Sequence, residues 1–461
     1  MKALKDPDCL LADGLAAIRT QFKVPTNFPP QVLAAAETAA RRVSTEHRDR
    51  TALPFVTLDP ASSTDLDQAF AIERSGHDLL LHYAIADVPW FVRDGDAIDA
   101  EAWARGETFY LPDGKAGLHP PLLAEGAASL LPDGERLAVV FTTRVAPDGA
   151  VKLEGTERAT IRSRAKLGYE SVREDELPAD FAALARRITD AEEARGAARV
   201  DPPEQEVERD RAGHFTLRLR PLSGPEKSNA ALSLATNLAV ADALYAAKTG
   251  LFRVMAGPDP RAVARLRFTA KAFGLIWPEQ ASLEQFEKTL DPLEPGAAAF
   301  MLAIRRAGNG ASYVPYQDGT KPWHAAMAAT YCHMTAPLRR LADRYVIRAA
   351  LSLANGQPIE AEVEAAFQRL GPVMGKADAR AGQVERAVID LAEAAILAGR
   401  EGESFAAVVT QIDEAGVRIQ LCDLPVVART NAHSVKPGQP ITVRLDAADP
   451  ARRIVGFSRI A

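Results

Sequence analysis

The strongest constraint on the fold is a change of hydrophobic period along the chain. From Phe55 to Leu219 the apolar residues come in short runs and alternations: Phe55 to Leu58, Ala69 to Ile72, Leu79 to Val88, Leu137 to Val145, Thr156 to Ile161 and His214 to Leu219. This is the two-residue rhythm of strands, and Ser75-Gly76-His77-Asp78 supplies a hairpin turn between two of them. Between Pro225 and Lys248 the rhythm changes, because Asn229 to Ala247 is rich in Ala and Leu at spacings of three and four. Helix is expected to dominate from there to about residue 400. The end of the chain returns to short strands, Phe405 to Ile412, Gly416 to Leu421, Val426 to Ala428, Ile441 to Leu445 and Ile454 to Phe457, a set that suits a small OB-type barrel. Two helical stretches, Leu10 to Thr20 and Pro30 to Val43, precede the first strand. Strands and helices gathered in separate regions predict the α+β class. The expected units are a helical segment at 1–50, a large domain at 51–400 and a barrel at 401–461.

Charge and cysteine content narrow the setting. The 55 Lys and Arg against 61 Asp and Glu leave a formal charge of -6, so any nucleic-acid site must be a local basic channel rather than the whole surface. Cys9, Cys332 and Cys422 lie far apart with no C-x-x-C pair, which argues against a disulfide scaffold or a thiolate zinc site and for a reducing compartment. No apolar stretch follows the lysines of Met1 to Pro7, and none elsewhere nears the roughly 18 residues of a membrane span. The expectation is a cytoplasmic protein with no membrane contact and no obligate protein partner.

The densest chemical signal is Phe55-Val56-Thr57-Leu58-Asp59-Pro60-Ala61-Ser62-Ser63-Thr64-Asp65-Leu66-Asp67-Gln68. An apolar strand delivers Asp59 to a loop, and Asp65 and Asp67, two apart on an extended chain, point to one face. Converging carboxylates repel one another unless a cation sits among them, and hard oxygen donors suit magnesium shared with a phosphate. Taken alone, such a loop is also an ordinary Asp- and Ser-rich turn.

A second segment, Tyr331-Cys332-His333-Met334-Thr335-Ala336-Pro337-Leu338-Arg339-Arg340-Leu341-Ala342-Asp343-Arg344, shifts that balance. It is expected to open a helix, with Pro337 near the first turn and guanidiniums close to the N-terminal end, a design for holding anions. Its alternative is a solvated basic face paired with acids.

Together the two segments resemble the ribonuclease II / ribonuclease R (RNB) exoribonucleases: the acidic loop their D-x5-D-x-D-D signature, the second their H-x-T-S-P-I-R-R-Y motif. Tyr83-Ala84-Ile85-Ala86-Asp87-Val88 and Arg105-Gly106-Glu107-Thr108-Phe109-Tyr110-Leu111-Pro112-Asp113 fall between them in the family's order. The likeness runs from about Pro54 to Arg400, and the A-I-A-D form is similar to the ribonuclease II branch. It implies 3′-to-5′ hydrolysis of single-stranded RNA to nucleoside 5′-monophosphates by a two-metal scheme with magnesium, or manganese. By the same resemblance Asp59, Asp65 and Asp67 are metal ligands, with Asp67 also catalytic. Arg339 contacts the scissile phosphate, and Arg340 is a further RNA contact. Tyr110 stacks on the 3′-terminal base, while Tyr169 and Glu385 line the path near the terminal riboses. Asp87 reads as a structural turn former.

The departures from the pattern are informative. Gln68 stands at the fourth aspartate, Ala336 at the serine and Leu341 at the tyrosine, and Pro258 where ribonuclease II places a second stacking phenylalanine. A neutral amide at 68 would weaken metal binding, unless Gln68 shares with Leu66 the side away from Asp65 and Asp67. Some fifty helical residues cannot build the cold-shock-type domains that bacterial relatives place first. In the barrel the only aromatics are Phe405 and Phe457, so RNA capture there would lean on Arg418, Arg429, Arg444, Arg452 and Arg453. The rival readings are an RNB-fold RNA-binding protein weakened in turnover and a magnesium phosphohydrolase acting on a small nucleotide.

Overall fold

The computed structural model describes residues 10–460 except 198–203, 210–214, 221, 292–293, 308–309 and 414–415. Cys9 and His214 lie outside the described residues.

Two helices come first, α1 (Leu10–Gln21) and α2 (Pro30–Ala40). Strands β1 (Arg48–Asp49), β2 (Thr57–Asp59), β3 (Gln68–Ser75) and β4 (Asp78–Ala86) follow, then short helices α3 (Val88–Phe91) and α4 (Ala97–Arg105). A small hairpin, β5 (Phe109–Leu111) and β6 (Gly114–Ala116), precedes the long β7 (Arg136–Val145) and β8 (Val151–Ile161), β9 (Lys166–Gly168) and α5 (Phe181–Ala194). A second hairpin, β10 (Glu204–Arg209) and β11 (Phe215–Arg220), leads into α6 (Gly224–Ala246). Ser223 and Glu226 start that helix as a reciprocal capping box, with Pro225 in its first turn.

Five strands form the central sheet in the order β1-β8-β7-β4-β3. Ser75 pairs with Asp78 across the Gly76-His77 turn, where Gly76 takes a φ of 64°. Alternation along the strands makes two unlike faces. Tyr83, Ile85, Val139 and Phe141 pack against α5, α6 and the later helices. Ala69, Ala84, Ala86 and Ala138 turn to the other side, where their small size lets Val32, Ala36 and Ala39 of α2 approach. Asp87 closes β4 and caps α3 by accepting from Trp90 N, and it is buried against His47 and Arg158, a structural role as expected.

The stretch beyond α6 is less purely helical than its composition implies. Strands β12 (Leu251–Met255), β13 (Ala311–Pro315), β14 (Trp323–His324) and β15 (Ala329–Thr330) form a four-stranded sheet in the order β13-β12-β14-β15. Helices α7 (Pro260–Ala272), α8 (Leu283–Glu287) and α9 (Pro295–Ala307) sit between β12 and β13 around a small core of Leu266, Phe286 and Phe300. The chain then runs through α10 (Leu341–Ala354) and the 37-residue α11 (Ala361–Leu397).

Helix α1 lies between the β5–β6 hairpin and α11, burying Leu11, Leu15 and Ile18 against Phe109, Leu111, Val384 and Leu391. Gly14 permits this approach, since a Cβ there would meet Leu391 at 2.6 Å. The N-terminal helices are therefore part of the packing around the hairpin and sheet. Strands β16 (Ser404–Asp413), β17 (Gly416–Leu421), β18 (Val427–Asn431), β19 (Pro440–Asp449) and β20 (Ile454–Arg459) close into a barrel ordered β16-β17-β18-β20-β19, an OB-type arrangement. Phe405 and Phe457 meet edge to face inside its core, so they are not available as base-stacking platforms. Among the described residues no helix is long and apolar enough to cross a membrane.

Candidate active site

Asp59 ends β2, and the parallel β2–β9 ladder continues into Tyr169, whose N–H donates to Asp59 O at 3.1 Å. Asn229 of α6 locks the same corner by donating to Leu58 O at 3.0 Å and to the Tyr169 hydroxyl at 2.8 Å. The loop from Pro60 to Asp67 is not a free turn. Ser129 accepts from Leu66 N at 2.9 Å and donates to Thr64 O at 2.7 Å, while Leu66 plugs into the core.

The arginine segment is a turn rather than the first turn of a helix. The N–H groups of Arg339 and Arg340 both return to Ala336 O, and helix α10 begins only at Leu341, with Arg340 as its N-cap residue. Pro337 thus precedes the helix. Two tertiary backbone bonds fix this shape, Thr108 N donating to Arg339 O and Leu341 N to Gly106 O, and the nearby Asp343 carboxylate accepts from Ala336 N at 2.8 Å. Gly106 and Thr108 lie more than two hundred residues upstream, beyond the reach of a local helical signal.

The two halves of the site meet at Asp67. It is only 6% exposed, accepts from Leu338 N at 2.7 Å and has its second oxygen 3.6 Å from Arg339 Nε. Burial is the main cause that raises the Asp67 carboxyl to about 8, with Arg339 opposing and the negative charges of Asp343 and Asp65 adding. Asp59 is raised to about 6, again by burial first, with Arg339 opposing and Asp65 adding. Arg339 itself is nearly half exposed and faces both carboxylates. Arg340 differs, because its guanidinium is committed to Asp343 at 2.7 Å.

A cleft of about 570 Å³ opens from this point, lined by Tyr110, Arg339, Arg340, Glu385, Glu206 and Arg220 among others. Tyr110, 55% exposed on the β5–β6 hairpin, forms one wall, and Glu385 of α11 the other. A groove of about 670 Å³ adjoins it between α11 and the barrel, bordered by Glu385, Arg386, Arg418, Arg429 and Arg453. Of the other barrel arginines, Arg444 pairs with Asp446.

The structure therefore brings together Asp59, Asp65, Asp67, Arg339 and Tyr169 at one end and Tyr110 and Glu385 along the cleft. Two groups with no part in the sequence reading also belong here. Glu107 lines the cleft and is raised to about 7, by burial first and then by Asp378, although it sits inside the motif that supplied Tyr110. Lys115 pairs with Asp65 at 2.7 Å. The donor set fits a hard divalent cation, being all oxygen, with Asp59 and Asp67 pushed toward their neutral forms where a cation would hold them ionised. Among the described residues, however, no group of three or more His, Cys, Asp or Glu is already gathered to hold a metal ion.

A family profile described as the RNB domain matches residues 47–354, and one described as the RNase II-type exonuclease C-terminal S1 domain matches 403–460. Ribonuclease R of Aquifex aeolicus is 26% identical over 476 residues, taking in 96% of this chain and 66% of that protein. Exoribonuclease 2 of Enterobacter sp. is 28% identical over 414 residues, 83% of this chain and 62% of its own length. The chain thus spans about two thirds or less of the length of these relatives. Among solved structures, Mycoplasma genitalium RNase R in complex with ribose methylated single-stranded RNA has the same fold, with a TM-score of 0.87 at 20% identity over all of this chain and 79% of that one.

Proposed function

The chain belongs to the RNB family, and from that premise we propose that it hydrolyses single-stranded RNA from the 3′ end, releasing nucleoside 5′-monophosphates with the help of magnesium or manganese. The observation that carries this reading is the Asp67–Leu338–Arg339 junction, whose Arg339 lines a cleft that adjoins an arginine-bordered groove. Relatives named Ribonuclease R and Exoribonuclease 2, and a neighbour bound to single-stranded RNA, point the same way.

Asp59 and Asp67 would hold the metal, which when bound would lower the pKa of a water and offset charge on the phosphate. Arg339 is free to swing onto a phosphoryl oxygen, because its backbone is fixed while its head is half exposed. A guanidinium set there stabilises charge that grows during transfer to water. Tyr110 offers an exposed ring for the terminal base. Tyr169, whose hydroxyl accepts from Asn229 and so keeps its own proton to donate, suits a ribose 2′-OH beside Asp59.

A 5′-labelled RNA with a single-stranded 3′ end, incubated with the protein and magnesium, tests the reading. Stepwise shortening from the 3′ end is the expected result. A gel shift without shortening would make the protein an RNA-binding member of the family, and release of internal fragments would overturn the direction.

A further inference from the structure

Lys115 occupies the acidic loop from outside it. Its ammonium lies 2.7 Å from Asp65 Oδ1 and 3.2 Å from Glu125 Oε1, and the other oxygen of Glu125 accepts from the Thr64 hydroxyl at 3.0 Å. The cation is thus gripped by the loop that bears the aspartates and by the π-helical turn beneath it.

Its position is set by the fold. Lys115 pairs with Tyr110 across the β5–β6 hairpin. The hairpin is pinned at its tip, where Arg19 of α1 donates to both Asp113 oxygens at 2.8 and 3.2 Å and to Gly114 O at 3.0 Å. Phe109, Leu111 and Ala116 anchor its base in the α1–α11 core.

Asp65 is the acid whose charge bears on both Asp59 and Asp67. An ammonium bonded to it removes one negative charge from the centre of the cluster. The three aspartates and Glu125 set four negative charges against the two positive charges of Lys115 and Arg339, a net of about two negative charges. That charge matches one divalent cation and falls short of two.

We propose, resting on the metal-dependent reading above, that Lys115 is a positioning residue that serves as a built-in cation. It neutralises Asp65, so that Asp59 and Asp67 hold a single divalent ion and the second place of a two-metal arrangement is taken by the ammonium. The hairpin that presents Tyr110 to the substrate also sets the metal count of the site.

The test is manganese binding to the RNA-free protein, followed by electron paramagnetic resonance of the free ion and by calorimetry, for the unaltered chain, Lys115→Met and Lys115→Arg. The expected result is one ion per unaltered chain. Lys115→Met should gain a second ion or bind at least tenfold tighter, and Lys115→Arg should keep the single-ion curve. Two ions held by the unaltered chain, or coincident curves for the unaltered chain and Lys115→Met, would overturn the inference, and the first of these needs no variant to fold. RNA shortening measured alongside keeps the two readings apart. Coincident curves with shortening intact overturn only the role of Lys115, whereas absence of shortening by the unaltered chain overturns the proposed function.

Discussion

Gln68 gives its side-chain carbonyl to the hydroxyl of Tyr83, a fully buried ring on the adjacent strand whose phenol lies within electrostatic reach of Asp59 and Tyr169. The carbonyl is the one atom an amide can offer a metal, and here the bond to Tyr83 turns it toward the neighbouring strand and uses one of its two lone pairs. Gln68→Asp should therefore leave the magnesium concentration for half-maximal activity within about twofold, while the partly buried new charge and the lost bond from Tyr83 lower stability by about 1–3 kcal/mol. Magnesium titrations on one RNA, with thermal melts of the same samples, check both parts. A curve displaced to much lower magnesium would put residue 68 on the metal.

Asp67→Asn separates chemistry from architecture. The Asn carbonyl can still accept from Leu338 N, so the arginine turn should hold its place, whereas the lost charge removes a metal ligand. Turnover is expected to fall by at least three orders of magnitude with RNA affinity changed less than about fivefold. Single-turnover cleavage and filter binding read the two quantities. Near-normal cleavage would remove Asp67 from the catalytic set.

Arg339→Ala takes away a guanidinium and leaves the backbone bond from Thr108 N to residue 339 untouched. The expected loss is about 10²–10³ in kcat, or about 2.7–4 kcal/mol, the scale of a deleted transition-state donor. A change confined to KM would make Arg339 a docking residue.

Glu287 predicts a pH-dependent stability away from the cleft. This carboxyl is 8% exposed, one of its oxygens has no hydrogen-bond partner, and burial, with the charge of Glu284, raises it to about 8. The folded protein keeps a proton that the unfolded chain releases near its ordinary value of 4.5. Its contribution is therefore complete below that value and is lost as pH rises through about 8. Glu287→Gln should melt like the unaltered protein at pH 5 and be the more stable by about 1–3 kcal/mol at pH 9. Equal melting temperatures at both pH values would contradict the burial argument.

What could be read from the sequence was whatever repeats locally. Strands such as Leu79 to Val88 and the five of the barrel announce themselves by alternating buried and open positions, and Asn229 to Ala247 by its helical spacing. The three aspartates and Arg339 also stood out as residue types in tight motifs. What escaped is set by distant partners. β12 and β13 are five residues each and pair across more than fifty positions of mainly helical chain, so local composition hid them. The Pro337 turn is shaped by Gly106 and Thr108, and Lys115 gains meaning only where its hairpin crosses the acidic loop. Phe405 and Phe457, the barrel's two aromatics, meet each other in its core, which the sequence did not indicate.

The bond from Leu338 to Asp67 spans 271 positions, and that separation has a meaning in time. At about 5–20 residues per second of synthesis, roughly 15–55 s pass between the emergence of the acids and the arrival of the turn that completes them. Through that interval a growing chain, still attached to the ribosome and the message that encodes it, carries acids without their arginine. On the proposed chemistry the nuclease is born idle, and the order in which the two halves are made delays its attack on its own transcript.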